Sequence, residues 1–156
     1  METIVNELNQ VVTSVAAKLS FMPEADFEAK PNPNKWSKKE VLGHLIDSAH
    51  NNLRRFVIGQ YDIIPPRIIY EQNFWVTAND YQKESAENLV TLWRLLNHRI
   101  AAVLSNMPIE KYSHLCNTGK DEISLRALDW LAADYIKHMK HHINQIMPGS
   151  YPITYP

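Results

Sequence analysis

Four long segments of this 156-residue chain place apolar side chains three and four positions apart, and this spacing constrains the fold more than any other feature. The segments cover residues 2–21, 37–59, 85–107 and 124–147. Apolar residues at such intervals form one buried face of an α-helix, whereas a half-buried strand would show strict alternation. The chain contains only four glycines, so little interrupts these segments. The sequence therefore predicts an all-α protein built from four amphipathic helices.

Capping and breaking residues predict where these helices begin. Ser37 and Glu40 form a capping box, in which the serine hydroxyl accepts from the backbone of Glu40 and the glutamate side chain reaches back to the backbone of Ser37. Upstream of this box, Pro31 and Pro33 are expected to keep the chain extended. Ser124 is predicted to cap the fourth helix.

The connections carry weaker signals. Residues 60–84 contain two adjacent prolines and a cluster of aromatic side chains, and they predict a long connection with a helical turn at 73–78. Residues 109–123 predict a small hairpin with its turn at 117–119. Four helices of about 20 residues with short and long connections predict a four-helix bundle. The long second connection permits a crossover instead of a simple up-down-up-down order.

Length and composition limit the class of protein. We expect one domain over residues 1–156, with a core of useful size. A net charge of −1 gives no reason to expect nucleic acid or an anionic membrane as a partner. No apolar run approaches the roughly 18 residues of a membrane span. The single cysteine, Cys116, rules out an intrachain disulfide, and with no secretion signal at the N-terminus a cytoplasmic location is predicted.

Histidines in the fourth predicted helix suggest a metal site. His138 and His142 are four residues apart, so they stand on one face and can direct two imidazole nitrogens at one ion. Both lie at the edge of the buried face, whereas His141 is expected in solvent. A third ligand is needed, and the second helix offers His44 or His50. The helical wheel leaves the choice between these two open.

Two stretches of the chain resemble the DinB-like superfamily, which includes the YfiT-like proteins. They are WSKKEVLGHLIDS at residues 36–48 and YIKHMKHHINQI at residues 135–146. The aromatic residues at 70–75 also resemble the family's connection. Members are four-helix bundles in which one histidine of the second helix and an H-x-x-x-H pair of the fourth bind a divalent metal ion.

The resemblance implies that His44, His138 and His142 are the metal ligands. Many members carry an acidic residue directly after the first histidine of the pair, where this chain has Met139. Three neutral imidazoles suit zinc, nickel or iron(II), and the spacing does not choose among them. Three protein ligands leave room for water or substrate, which is the pattern of catalytic sites. Relatives are often dimers, so the resemblance also implies a homodimer.

Relatives include proteins described as metal-dependent hydrolases and thiol-dependent S-transferases. The resemblance therefore implies a metal-dependent enzyme of one of these classes that acts on a small molecule such as a low-molecular-weight thiol. No residue stands out as a catalytic base. The alternative is a non-catalytic metal-binding module or a dimeric sensor, in which the ion is structural or absent.

Other polar residues are expected to lie outside the site. Asp134 precedes His138 by four residues and is either a surface acid or a partner that orients this ring. The aromatic cluster between Tyr61 and Tyr81 is expected to pack rather than to bind a ligand. The remaining residues expected at the surface or in loops are Asp47, His50, Asn51, Asn52, Arg55, His98 and His114.

Overall fold

The computed structural model describes residues 1–155 and confirms an all-α fold based on a four-helix bundle. The predicted domain ends at Pro156, which lies outside the described residues. Two shorter helices, two 3₁₀ turns and a small hairpin complete the described chain. The elements are α1 (Glu2–Leu19), α2 (Glu24–Glu28), α3 (Lys38–Tyr61), α4 (Gln72–Asn79), α5 (Ala86–Ser105), β1 (Leu115–Asn117), β2 (Leu125–Ala127) and α6 (Leu128–Ile146).

The four long helices do not pack in the order in which they follow one another. Helices α5 and α6 each pack against both α1 and α3. Consecutive long helices α1 and α3 therefore occupy opposite corners, as do α5 and α6. In an up-down-up-down bundle consecutive helices are neighbours, so this arrangement is a crossed one. Diagonal connections need length, which residues 20–37 and 106–127 supply.

The apolar faces of the long helices meet in one continuous core. Trp93, Phe27 and Phe56 are among its largest fully buried side chains. Each such side chain contributes roughly 1.5–3 kcal/mol when it leaves water, so this core stabilises the packing of the helices against one another. No helix among residues 1–155 is both long and apolar enough to cross a bilayer.

Helix α3 begins as the sequence predicts. The Ser37 hydroxyl accepts from the backbone N–H of Glu40 at 3.1 Å, and a Glu40 carboxylate oxygen accepts from the backbone N–H of Ser37 at 2.7 Å. This reciprocal pair satisfies two backbone donors that the first turn of a helix leaves without partners. The capping box thus fixes the first turn of the helix that carries His44.

The segment before α3, predicted to be extended, instead contains the short helix α2. Carboxylates of Glu24 and Glu28 pair there with the buried ammonium group of Lys39 in the first turn of α3. A buried lysine needs such partners, because an unpaired charge in the interior is strongly unfavourable. The prediction from the prolines was wrong because this long-range pairing leaves no local pattern.

The fourth long helix begins later than predicted. Ser124 does not cap it, and α6 starts at Leu128 without a side-chain cap. Residues Leu125–Ala127 form β2 and pair antiparallel with β1. The side-chain oxygen of Asn117 accepts from the backbone N–H groups of Gly119 and Ser124, each at 3.0 Å. The predicted hairpin is confirmed, and it takes its second strand from residues that the apolar pattern assigned to the helix.

The connection between α3 and α5 lies against α3. It contains α4, which confirms the helical turn predicted for residues 73–78. After α4, the ring of Tyr81 rests on Gly43, where an added Cβ would lie 2.0 Å from Cδ2 of the tyrosine. Only glycine permits so close an approach at this position. This contact holds the connection over the polar face of α3.

Candidate metal centre

Three histidine side chains from α3 and α6 meet between the two helices. The nitrogens of His44, His138 and His142 that could bind a metal all lie within 4.8 Å of one another. Nε2 of His138 lies 3.3 Å from Nε2 of His44 and 3.1 Å from Nε2 of His142. Bonds of about 2.0–2.1 Å to a tetrahedral zinc ion separate two ligand nitrogens by roughly 3.4 Å. The spacing of the cluster therefore fits a divalent cation.

The two helices place these rings by different means. His138 and His142 stand one turn apart on α6, with ring centroids separated by 4.5 Å. His44 approaches from α3 and is completely buried. The indole of Trp36 lies against it, with ring centroids 5.2 Å apart and planes inclined by 35°. Because Trp36 directly precedes the capping box, the residues that start α3 also place this ring against His44.

Burial keeps the three rings neutral at physiological pH. Desolvation lowers the pKa of His44 to about 3, and repulsion from His142 acts in the same direction. Desolvation likewise lowers the pKa of His138 to about 2, with smaller contributions from neighbouring positive charges. The pKa of His142 is also lowered by desolvation, although its hydrogen bond to Gln145 opposes this effect. Neutral imidazole is the form that binds a metal ion.

Gln145 fixes the tautomer of His142. Nδ1 of His142 lies 3.0 Å from Oε1 of Gln145, and an amide oxygen can only accept a hydrogen bond. Nδ1 therefore donates, and Nε2 presents its lone pair to the other two histidines. Metal-binding histidines commonly donate their second N–H in this way. Such an inward lone pair can bind a cation or accept a hydrogen bond from Nε2 of His138, which lies 3.1 Å away.

Tyr155 contacts the second histidine of the cluster from its outer side. Its ring centroid lies 5.6 Å from that of His138. Its hydroxyl donates to a carboxylate oxygen of Asp134 at 3.0 Å. Burial, assisted by this carboxylate, raises the pKa of Tyr155 to about 12, so the hydroxyl keeps its proton. Asp134 therefore bonds Tyr155, whose ring packs against His138, an arrangement that the helical spacing did not reveal.

The other histidines lie outside the cluster. His50 and His98 are exposed. The helical wheel alone had left His50 as a possible third metal ligand. Nδ1 of His114 donates to a backbone carbonyl of α3 at 3.0 Å. His141 is partly buried instead of fully solvated, and its Nε2 faces the amide nitrogen of Gln145 at 3.2 Å.

Part of the polar face of α3 is buried, contrary to the sequence-based expectation. The Tyr81 hydroxyl donates to Oδ1 of Asp47 at 2.6 Å, and desolvation raises the pKa of this carboxyl to about 6. Arg55 is partly buried and donates twice to the backbone carbonyl of Ile68, at 3.1 and 2.7 Å. A helical wheel cannot show this burial, because the covering connection comes from a different part of the chain. The buried residues that were expected to be solvated are Asp47, Asn51 and Asn52.

A cleft of about 760 Å³ opens beside the cluster. His142 and Gln145 form part of one wall, Trp36 and Lys38 part of another, and Gln72 from the start of α4 lines it as well. Sites for small molecules commonly have volumes of about 300–1,000 Å³. A second cavity, of about 580 Å³, lies between α1 and α5 and includes none of the three histidines in its lining. Of these two cavities, the first one reaches the cluster, through His142.

Sequence comparison finds a relative with a metal-related name. The Bacillus subtilis (strain 168) protein called "Putative metal-dependent hydrolase YfiT" is 23% identical over 141 residues. The alignment covers 88% of this chain and 79% of YfiT. The two chains therefore correspond over most of their lengths.

Two solved structures share the fold. YfiT from Bacillus subtilis, described as a probable metal-dependent hydrolase with an unusual four-helix bundle topology, superposes with a TM-score of 0.83 at 20% identity, over 93% of this chain and 82% of YfiT. A mycothiol-dependent maleylpyruvate isomerase superposes with a TM-score of 0.70 at 12% identity, over 91% of this chain and 59% of the isomerase. At these identities the likeness concerns the fold.

A family model of the DinB superfamily matches residues 6–146. This range begins within α1, ends with α6 and includes all three histidines of the cluster. The match agrees with the YfiT-like fold and confirms the resemblance seen in the two histidine-bearing stretches. The chain belongs to the DinB superfamily.

Proposed function

We propose that His44, His138 and His142 bind a divalent metal ion and that the protein is a metal-dependent enzyme acting on a small molecule in the adjacent cleft. The observation that carries this proposal is the convergence of three neutral ring nitrogens beside an open cleft. A metal ion with three protein ligands retains a position for an external ligand, as catalytic zinc sites do. Imidazole ligands suit zinc, nickel or iron(II).

The protein's own residues prepare the site for such chemistry. A bound divalent ion supplies a Lewis acid, which lowers the pKa of a ligand that coordinates it. Gln145 holds the His142 ring with its lone pair directed inward, and the Trp36 indole shields His44 from water. The cleft admits the reacting molecule from the His142 side.

Two reaction classes match this arrangement: hydrolysis, and transfer reactions that use a small-molecule thiol. Each reaction brings a nucleophile to a Lewis acid. The nucleophile is water in hydrolysis and a thiol in the transfer reactions. The name of the YfiT relative supports the first class, and the mycothiol dependence of the isomerase with the same fold supports the second.

Metal analysis of the untagged protein tests the site. We expect close to one divalent ion per chain in the wild type and almost none in a His138→Ala variant. His50→Ala is the matched control, because this histidine is exposed on α3 and lies outside the cluster, and it should keep the ion. Circular dichroism verifies that both variants fold. A folded wild type that takes up no zinc, nickel or iron would contradict the proposed site.

Activity of the metal-loaded protein tests the enzyme class. We expect turnover in either an ester hydrolysis panel or a thiol conjugation panel, and none from His138→Ala. Stoichiometric metal without turnover in either panel would favour a non-catalytic module in its place.

A further inference from the structure

The cleft beside the histidine cluster carries an excess of positive charge. Lys30, Lys35 and Lys38 line it, against the one acidic side chain Asp26. The whole chain has a net charge of −1, so this excess is local. A concave site lined by one sign of charge attracts ligands of the opposite sign.

Two of these lysines have no carboxylate partner. Lys30 is neutralised by Glu40, with 2.8 Å between Nζ and Oε1. In contrast, neither Lys35 nor Lys38 takes part in an ion pair among residues 1–155. Their positive charges are therefore available to a ligand in the cleft.

Lys38 occupies a position that does not favour helix stability. It is the first residue of α3, where the helix macrodipole is positive and acidic side chains are preferred. The next residue, Lys39, is offset by carboxylates of α2, whereas Lys38 is not. The helix dipole therefore gives no reason for a cation at this position, whereas the cleft places this charge where a ligand can reach it.

Trp36 connects these lysines with the metal centre. It directly follows Lys35 in the chain, lines the same cleft as Lys38 and His142, and packs against His44 with ring centroids 5.2 Å apart. A molecule small enough for the cleft can therefore contact the lysines at one end and the histidine cluster at the other.

We propose that the substrate is a small carboxylate, with its carboxylate group bound by Lys35 and Lys38 and its reacting end directed toward His142. This inference rests on the proposed function, because it assigns a substrate class to the same site. The side-chain amides of Gln72 and Asn73 also line the cleft and can donate hydrogen bonds to carboxylate oxygens.

A matched pair of thiols tests the preference for a carboxylate. The probes are 3-mercaptopropionate and its neutral amide, 3-mercaptopropionamide, titrated by ligand-observed NMR into zinc-loaded wild type and into the His138→Ala variant. We expect the carboxylate to bind the zinc-loaded protein about tenfold more tightly than the amide. In the variant both probes should bind more weakly, while the carboxylate keeps its advantage.

Lysine variants locate the source of this preference. In a Lys35→Gln/Lys38→Gln double variant the affinity ratio should fall to about one, with each single change reducing it about two- to fivefold. The control is Lys18→Gln, which removes the same charge from an exposed site on α1 and should leave the ratio unchanged. The changes remove no ion pair, and thermal unfolding verifies that the variants remain folded.

The outcomes separate this inference from the proposed function. Equal binding of the two probes by wild type, or an unchanged ratio in the double variant, would overturn the carboxylate proposal. Failure of wild type to take up metal would contradict the proposed function. The ratio of the affinities for the carboxylate and the amide, measured in His138→Ala, would still decide whether the cleft prefers a carboxylate.

Discussion

His44 and Asp47 lie one turn apart on α3, and both are completely buried. Each also has one buried side-chain atom without a hydrogen-bond partner among residues 1–155, Nδ1 of His44 and Oδ2 of Asp47. Their surroundings differ, because His44 faces two histidines of α6 whereas Asp47 accepts from the hydroxyl of Tyr81 in the covering connection. Helix α3 thus contributes to two buried polar regions, the histidine cluster at His44 and the contact with the connection at Asp47.

Burial favours the neutral form of both side chains, and it therefore shifts their pKa values in opposite directions. It lowers the pKa of His44 to about 3 and raises that of Asp47 to about 6. In the histidine cluster, neutrality leaves three lone pairs ready for a cation. At Asp47, an ionised carboxylate is tolerated because Tyr81 donates to it, and the contact attaches the connection to α3. We therefore expect the first region to bind an ion, whereas the second attaches the connection to α3.

The largest expected effect is the gain in unfolding free energy on zinc binding, which should depend on the histidine cluster and not on Asp47. Zinc at about 1,000 times its dissociation constant should raise the free energy of unfolding of wild type by about 4 kcal/mol, because it binds only the folded state. Asp47→Asn should retain this gain, and His142→Ala should lose it. Urea titrations with and without zinc measure both. A comparable zinc effect in His142→Ala would mean that the ion binds elsewhere.

A smaller effect concerns how the connection attaches to α3. Gly43→Ala should destabilise the protein by about 3 kcal/mol, because the Tyr81 ring must leave its position on the helix. Gly59→Ala is the matched control on the same helix, where the new Cβ would meet the end of the Leu128 side chain, with Cδ2 at 2.8 Å instead of a ring atom at 2.0 Å. It should destabilise the protein less. Equal losses of unfolding free energy in urea would show that Tyr81 does not fix the connection.

Asp47 should also oppose the acid sensitivity that the histidines confer. Its folded-state pKa of about 6 exceeds the ordinary aspartate value of 3.8, so the folded state binds more protons between these values and gains stability as the pH falls. From pH 7 to 4.5 this gain amounts to about 2 kcal/mol. The lowered pKa values of His44 and His138 act oppositely, since the unfolded state binds protons below about 6.5 and stability falls.

Asp47→Asn should therefore lose more stability than wild type over this interval, by about 2 kcal/mol. Urea unfolding of the metal-free proteins at pH 7 and 4.5 measures the difference, with Asp129→Asn, an exposed acid of α6, as control. Parallel losses in wild type and Asp47→Asn would show that the carboxyl titrates normally.

The elements that local pattern could predict are those fixed by neighbouring residues. The long helices follow from apolar spacing, and the start of α3 follows from the reciprocal bonds of Ser37 and Glu40. The predicted pair His138 and His142 is likewise a consequence of one helical turn. In contrast, the choice of His44 over His50 depended on family resemblance, because helix packing decides which edge of α3 faces α6.

Features formed by distant parts of the chain could not be predicted in this way. Asp47 reads as a surface acid until Tyr81, 34 residues later, covers it. Helix α6 begins later than predicted because Leu125–Ala127 pair with β1. Their backbone N–H and C=O groups therefore bond across the hairpin instead of along a longer helix. The Lys39 ion pairs explain α2 in the same manner. In each case the deciding partner has no fixed sequence separation.

The smallest effect lies within the histidine cluster itself. Gln145 orients His142 by accepting its Nδ1–H, whereas the buried Nδ1 of His44 has no such acceptor among the described residues. Gln145→Ala should therefore weaken zinc binding about tenfold, because loss of an outer hydrogen-bond partner typically lowers metal affinity 10- to 100-fold and this one is near the surface. Competition titration with a chelator measures the affinity, and Lys137→Ala, an exposed change on α6, serves as control. Unchanged affinity in Gln145→Ala would show that packing alone orients His142, as it orients His44, and the contrast between the two helices would disappear.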